Sequence, residues 1–431
     1  MAATTYTLLT PTIIAKEALM LLENNLVMGG LVHKRYKNEF QKVGGTVTIR
    51  KPVKFQVTKA RTRVATEVTE QSTTIQVATQ AHVSWGFHTK DLTLTIEEYS
   101  QRYIYPAAAA LANTIDADLC ALYKDVSQAV AESTGFITPE NFIVLGNAAQ
   151  KLDESACPPE NRVIALNPAA NWSLANALKS IFVEGVAKPA LQGGVAIGGP
   201  PKGYRATIAG FDVYMDQNIK AHTSGAWYNT GSAYTATGSE RIVIQTAGGS
   251  AMMPSAASIY MINFKYVDSQ VLKAGDVFTI AGVYAVNPMS GESTGALRQF
   301  VVTADASCTG SSTVSAARVT VYFDPPMIDT GPYRTVDTLP AGAAHVTVMG
   351  RVNEPYPQNL AFHQNAFALV TVPLEMPHDV WGARETHNGL SIRILKAYDI
   401  EEDDEICRLD VLYGVKTLYP DLACRIYGAE G

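Results

Sequence analysis

Several short motifs in this 431-residue sequence carry residue types used in catalysis or ligand binding, and none completes the chemistry. Gly291-Glu292-Ser293-Thr294-Gly295 matches G-x-S-x-G, which works by setting a serine on a sharp strand-to-helix turn. Here Asn287-Pro288 precede it and a β-like run follows, so it reads as a hairpin loop. Residues 193–199 (GGVAIGG) are glycine-rich, but Pro200-Pro201 stand where a phosphate loop needs Lys and Ser/Thr. His378 and His387 are too far apart for a one-helix metal pair, and HExxH is absent. Residues 399–405 (DIEEDDE) lack the glycine and spacing of a calcium loop and read as a solvated turn. Asp116 and Asp118, two apart on a helix, do not share a face. No nucleophile, base and orienter come together, so the expectation is a non-enzyme without cofactor or metal.

The elements that would have to position any site run in a readable order. Residues 10–25 (TPTIIAKEALMLLENN) form a short amphipathic helix with Pro11 in its first turn. A basic cluster, HKRYK, follows at 33–37. From residue 43 the pattern changes: 46–49 is a strand, and Ile75, Val77, Thr79, Ala81, Val83, Trp85 and Phe87 alternate with period two. This reads as one long β-hairpin, with two strands of an ordinary sheet as the alternative; it is basic along Lys51, Lys54, Lys59, Arg61 and Arg63 and acidic at Glu67 and Glu70 near its tip. A two-stranded hairpin is marginal in water, so it is expected to lean on something outside its own subunit.

Residues 95–130 carry apolar side chains at steps of three and four, from Ile96 through Leu111, Ile115, Leu119 and Val126 to Val130. The spacing predicts a single helix of roughly 50 Å, opened by a Thr95/Glu98 capping box and either kinked at Pro106 or broken there into two helices. An α/β stretch follows: helix 139–154, strand 162–166, helix 168–185, a Gly/Pro loop at 192–203 and strand 208–215. Residues 221–352 are dense in Gly, Ser and Thr, with β runs at 242–245, 258–264, 277–285, 297–303, 317–323 and 344–349, the pattern of an inserted barrel or sandwich. Strands then recur at 367–372, 390–397 and 407–415, with a last one at 417–427 near the surface.

Composition bounds the partners. Charged residues are only 17% against a usual value of about 25%, so much of the surface is expected to lie against partners. A net charge of -6 is too mild to predict nucleic-acid or membrane binding. Five dispersed cysteines without a CxxC fit a reducing compartment. The N-terminal residues lack a signal-peptide pattern and no transmembrane run is present, so neither secretion nor membrane insertion is expected.

An arm helix, a long charged hairpin, a long helix, an α/β domain and a return to the start: this order resembles the major capsid (coat) proteins of tailed bacteriophages with the Hong Kong ninety-seven type fold. The β insertion after strand 208–215 resembles the short-tailed-phage group that carries an extra domain. Lys273 to Val283 (KAGDVFTIAGV) is the best signature of that group, with 359–373 and 408–415 as further matching segments. The resemblance implies an α+β fold: N-terminal arm 1–42, extended hairpin loop 43–91, spine helix 92–134, axial domain 135–220, inserted β-barrel 221–352 and a return to axial and peripheral domains over 353–431.

It also implies a structural protein of the virion. The expectation is self-assembly, as hexamers and pentamers, into an icosahedral shell around double-stranded DNA. Scaffolding and portal proteins are the implied partners, with no membrane and with assembly in the host cytoplasm. Arg61, Arg63, Glu67 and Glu70 are the expected inter-subunit ion pairs, and Pro106 the expected bend. A different class, a β-rich carbohydrate-processing enzyme, would require a cluster of acids in a cleft, which the sequence does not show. An encapsulin-like compartment shares the fold, and the inserted domain argues against it.

Overall fold

The computed structural model describes residues 11–34, 45–55, 59, 61, 70–88, 100–131, 139, 141, 143–177, 204–208, 210–227, 242–247, 250–251, 253, 255–262, 269–308, 319–350, 352–378, 380–399 and 404–427. The fold is α+β, built on two sheets of a main body and one closed sheet inserted between them.

The first body sheet is centred on the long strand Asp404–Thr417. Leu390–Asp399 pairs along its first half, Phe367–Val372 along its second, and Thr79–His88 runs antiparallel to it over ten residues. Trp381–His387 closes the outer edge. Alternation decides which face is buried: Leu390, Ile392, Ile394, Leu409, Val411 and Tyr413 point to one side. There they meet the helix Pro11–Asn25, through Ile14, Ala18 and Leu22, and the α-helix Tyr105–Cys120, through Leu111, Ile115 and Leu119.

The expected hairpin is thus split. Thr46–Arg50 pairs with Ser72–Gln76, from Thr46↔Gln76 to Arg50↔Ser72, as a hairpin should. The alternating run beyond it belongs to the body sheet, where Trp85 faces Cys407 and Val83 faces Leu409. Period two reports a half-buried strand but not its partner, and the partner here is more than 300 residues away.

The expected spine helix is also shorter than the spacing suggested. A π-helical turn, Ser100–Ile104, leads into the α-helix Tyr105–Cys120, which tightens into a 3-10 turn at Ala121–Asp125. Residues 95–99 lie outside the described residues. Ala129–Ala131 is a strand, parallel to Ala423–Tyr427. Val126 and Val130 are buried as a helical stripe would bury them, but in two different cores. Pro106 sits in the first turn of the α-helix, where its missing N–H has no intrahelical partner to lose.

The second body sheet runs in the order Ala129–Ala131, Ala423–Tyr427, Asn359–His363, Arg162–Leu166, Phe211–Met215, Tyr204–Ile208. Helices Ile143–Glu154 and Pro168–Ala177 supply Val144, Leu145, Leu152, Ala170 and Leu174 to its core. The last strand, expected near the surface, is buried along its whole length because it is an inner strand of this sheet.

The inserted domain is a six-stranded antiparallel sheet: Val346–Met349, Val277–Val286, Ser293–Val302, Val319–Asp324, Ser258–Ile262 and Val243–Ile244. Ile244 N–H donates to Ala344 O at 3.0 Å and Val346 N–H to Ile242 O at 2.9 Å, which joins the last strand to the first and closes a barrel. Closure removes both edges. Phe278, Phe300 and Phe323 meet inside it with ring centroids 5.2–5.9 Å apart. The Gly291–Gly295 motif is the hairpin loop of this barrel: the chain passes straight into the strand Ser293–Val302, and Asn287 Oδ1 accepts from Met289 N–H at 2.8 Å.

Candidate functional site: the neck of the inserted domain and the root of the hairpin

Two junctions decide how the body presents its outgrowths. At the neck, Ala221–Thr223 going out pairs antiparallel with Pro355–Pro357 coming back. His222 lies at the centre of this ribbon and is buried. Its Nε2 is 2.9 Å from Asp276 Oδ1, and its Nδ1 is 3.0 Å from Tyr123 Oη. A carboxylate only accepts, so Nε2 carries the proton and donates it. Asp276 Oδ2 accepts two further bonds, from Gly225 N–H at 3.0 Å and Lys273 N–H at 2.7 Å. One buried carboxylate therefore ties together the neck, the start of the barrel and the spine's last turn.

Arg425, from the buried last strand, closes the other side. Its guanidinium donates to Gly275 O at 2.7 Å and lies 5.8 Å from the centre of the Tyr123 ring. Burial pushes the Tyr123 phenol up to about 12, and raises those of Tyr356 and Tyr427 as well, so the aromatic wall stays uncharged. Backbones also come close here: a Cβ on Gly225 would lie 2.4 Å from Val271 O, so only glycine fits. A third tie is Gln299, which accepts from Ala129 N–H at 2.9 Å and donates to Ala129 O at 2.8 Å, as a strand neighbour would.

The hairpin root is built differently. Val47, Ile49, Ile75 and Val77 sit on Ala368, Val370 and Leu418, a small core of its own. Gly414 permits this seat, because a Cβ there would lie 2.3 Å from Gln76 O. Beyond the seat the contacts thin out. Arg50 Nη1 meets Glu70 Oε2 at 3.2 Å, with the side chains 79% and 54% exposed. Lys54 N–H reaches the Tyr333 hydroxyl of the barrel at 3.4 Å. A cleft of about 580 Å³ separates this root from the barrel, lined on one side by Pro52 and Val53 and on the other by Met289, Pro326 and Tyr333.

Of the residues predicted to pair across subunits, Arg61 is exposed and Glu70 is exposed with Arg50 as its partner. Arg63 and Glu67 lie outside the described residues. The geometry does not bring Arg61 and Glu70 together within the described contacts. Sequence reasoning missed Tyr123, His222, Gln299 and Arg425. It held Asp276 only as a letter of the KAGD run, whose glycine-aspartate pair was the one available signal. Among the described residues no group of three or more His, Cys, Asp or Glu is arranged to hold a metal ion. No helix of the described residues is long and apolar enough to cross a membrane.

A family model described as "P22 coat protein - gene protein 5" matches residues 1–428. The chain is similar to the "Major capsid protein" of Acyrthosiphon pisum secondary endosymbiont phage 1, 24% identical over 164 residues. That match covers 36% of this chain and 38% of the relative. Solved structures with likeness include one from Mycobacterium phage Che8, with a TM-score of 0.46, 13% identity and coverage of 93% of this chain and 90% of that one. Another is the capsid structure of the cyanophage P-SCSP1u, with a TM-score of 0.42, 10% identity and coverage of 90% and 84%.

Proposed function

The chain is a coat protein, a member of the P22 coat protein family, and on that premise we propose that its copies assemble into a closed shell, each hairpin lying across a neighbouring copy. One observation carries this reading. The hairpin is seated at its root by a core, yet beyond it Phe55 is 73% exposed, and Arg61 is exposed as well. In this reading a second copy covers Phe55 and meets the exposed charges beyond the seat.

The contact is heterologous, one surface against a different one, so it closes into rings. Rings of five and six tile an icosahedral shell, with double-stranded DNA held inside without sequence readout. Arg61, Arg63, Glu67 and Glu70 are the hairpin's ion-pairing side chains in that contact. Glu70 exchanges Arg50 for a neighbour's cation or shares it. In this reading the chain flexes where the π-helical turn Ser100–Ile104 meets Pro106, and that flexing takes up differences in curvature between ring types. A scaffolding protein guides closure and a portal protein fills one vertex, with assembly in the host cytoplasm and the mature location in the virion.

Electron microscopy of the purified protein, alone and co-expressed with its neighbouring genes, tests the proposal. Closed shells of uniform diameter are the expected result. A monodisperse monomer at high concentration in both preparations overturns it.

A further inference from the structure

We propose that Asp116 is the positioning residue of the N-terminal arm: its carboxylate is a proton-sensitive latch that clamps the elbow between arm helix and hairpin onto the spine.

The arm helix Pro11–Asn25 lies on the body sheet, and the chain then turns sharply through Leu26 and the short helix Met28–Leu31. At this elbow the two carboxylate oxygens of Asp116 are divided between two backbone donors. Val27 N–H donates to Oδ2 at 2.7 Å and Gly29 N–H to Oδ1 at 2.8 Å. Asp116 itself is 1% exposed. Four residues further on, His33 N–H donates to Phe367 O and Leu369 N–H to His33 O, so the path out of the elbow is fixed on the sheet that also seats the hairpin root. One side chain of the spine thus governs where the arm ends and the approach to the hairpin begins.

The surroundings make this clamp respond to protons. Burial pushes the Asp116 carboxyl up to about 7, against the two backbone bonds that favour its charge. The facing groups come from three elements. Asp216, at the end of the strand Phe211–Met215, adds negative charge, and Lys34, from the outgoing elbow, opposes it. Cys120, on the spine itself, has its thiol raised mainly by burial and stays neutral, and Lys220 faces that thiol. The Asp216 carboxyl is also raised by burial, and the Lys34 amine is lowered by it.

The sign follows from linkage. Protonation weakens one of the two N–H bonds but relieves the larger penalty of a buried charge, so the carboxyl binds its proton more tightly when docked, and docking is strongest below the free carboxyl's ordinary value. It weakens by about tenfold per pH unit as pH rises toward the docked value, and levels off above it.

Hydrogen exchange of the full chain in its unassembled form reads the latch directly, and independently of whether shells form. After correction for intrinsic rates, amides of 14–31 are expected to lose protection between about pH 5 and 7 and to level off above. Amides of the strand Asp404–Thr417 serve as the internal reference. Asp116→Asn should flatten the profile. Asp216→Asn should move the levelling point to lower pH and Lys34→Ala to higher pH, which keeps the test open if D116N folds poorly. A flat wild-type profile, or levelling points unmoved in D216N and K34A, overturns the proposal.

Discussion

The neck and the hairpin root both join an outgrowth to the same body, yet they are made of opposite materials. At the neck, the polar groups are buried and mutually bonded. Asp276, His222, Tyr123 and Arg425 form one network, and Gly225 is pressed against backbone. At the root, an apolar seat gives way within a few residues to exposed charge, an exposed Phe55 and an open cleft. The Asp276 carboxylate is satisfied from three sides, by His222, Gly225 and Lys273, and such a desolvated group holds one geometry, because moving it leaves buried donors unpaired. Exposed ion pairs hold almost none. The difference divides the two outgrowths: the barrel is welded to its own subunit, and the hairpin beyond its seat carries exposed charge, as the proposed contact with a second copy requires.

The strongest way to break this contrast is Asp276→Ala. It strands His222 and two backbone N–H groups in a site closed to water, and should cost about 3–5 kcal/mol in urea unfolding. A cost below about 1 kcal/mol would mean that the neck is not a weld. Gly225→Ala is the steric version of the same test. Its new Cβ meets backbone, which cannot swing aside, so a loss of about 1–3 kcal/mol is expected, with faster proteolysis at the neck as the accompanying readout. At the other end of the scale, Glu70→Ala should change the unassembled chain's stability by less than about 1 kcal/mol, since its pair with Arg50 is open to solvent. A thermal scan that showed a larger drop would place Glu70 in the subunit's own architecture.

The same contrast explains what could be read in the sequence. The barrel strands were legible as short β-prone runs between Gly-, Ser- and Thr-rich stretches, and some alternate as well, as in Val319–Asp324 with Val319, Val321 and Phe323 turned inward. The strand Arg162–Leu166 and the strand Phe367–Val372 stood out as short apolar runs for a related reason: buried on both faces, they need no alternation. Pairing partners were not legible. Thr79–His88 looked like the continuation of a hairpin because nothing local to it names Asp404–Thr417. The spine's end was misplaced because Val130 keeps helical spacing while serving a strand. The neck was invisible for a deeper reason. His222, Asp276 and Arg425 are isolated polar letters separated by 54 to 149 positions, and only the return of the chain after the insertion brings them together.

In the proposed shell the hairpin's charges act between copies and not within one. Charge reversal at Arg61 and Arg63 together, followed by electron microscopy and a thermal scan on the same preparation, tests it most directly. A folded chain with an unchanged melting temperature that forms no closed shells, or only malformed ones, is the expected result. Regular shells from the reversed variant, with the subunit still folded, would contradict it.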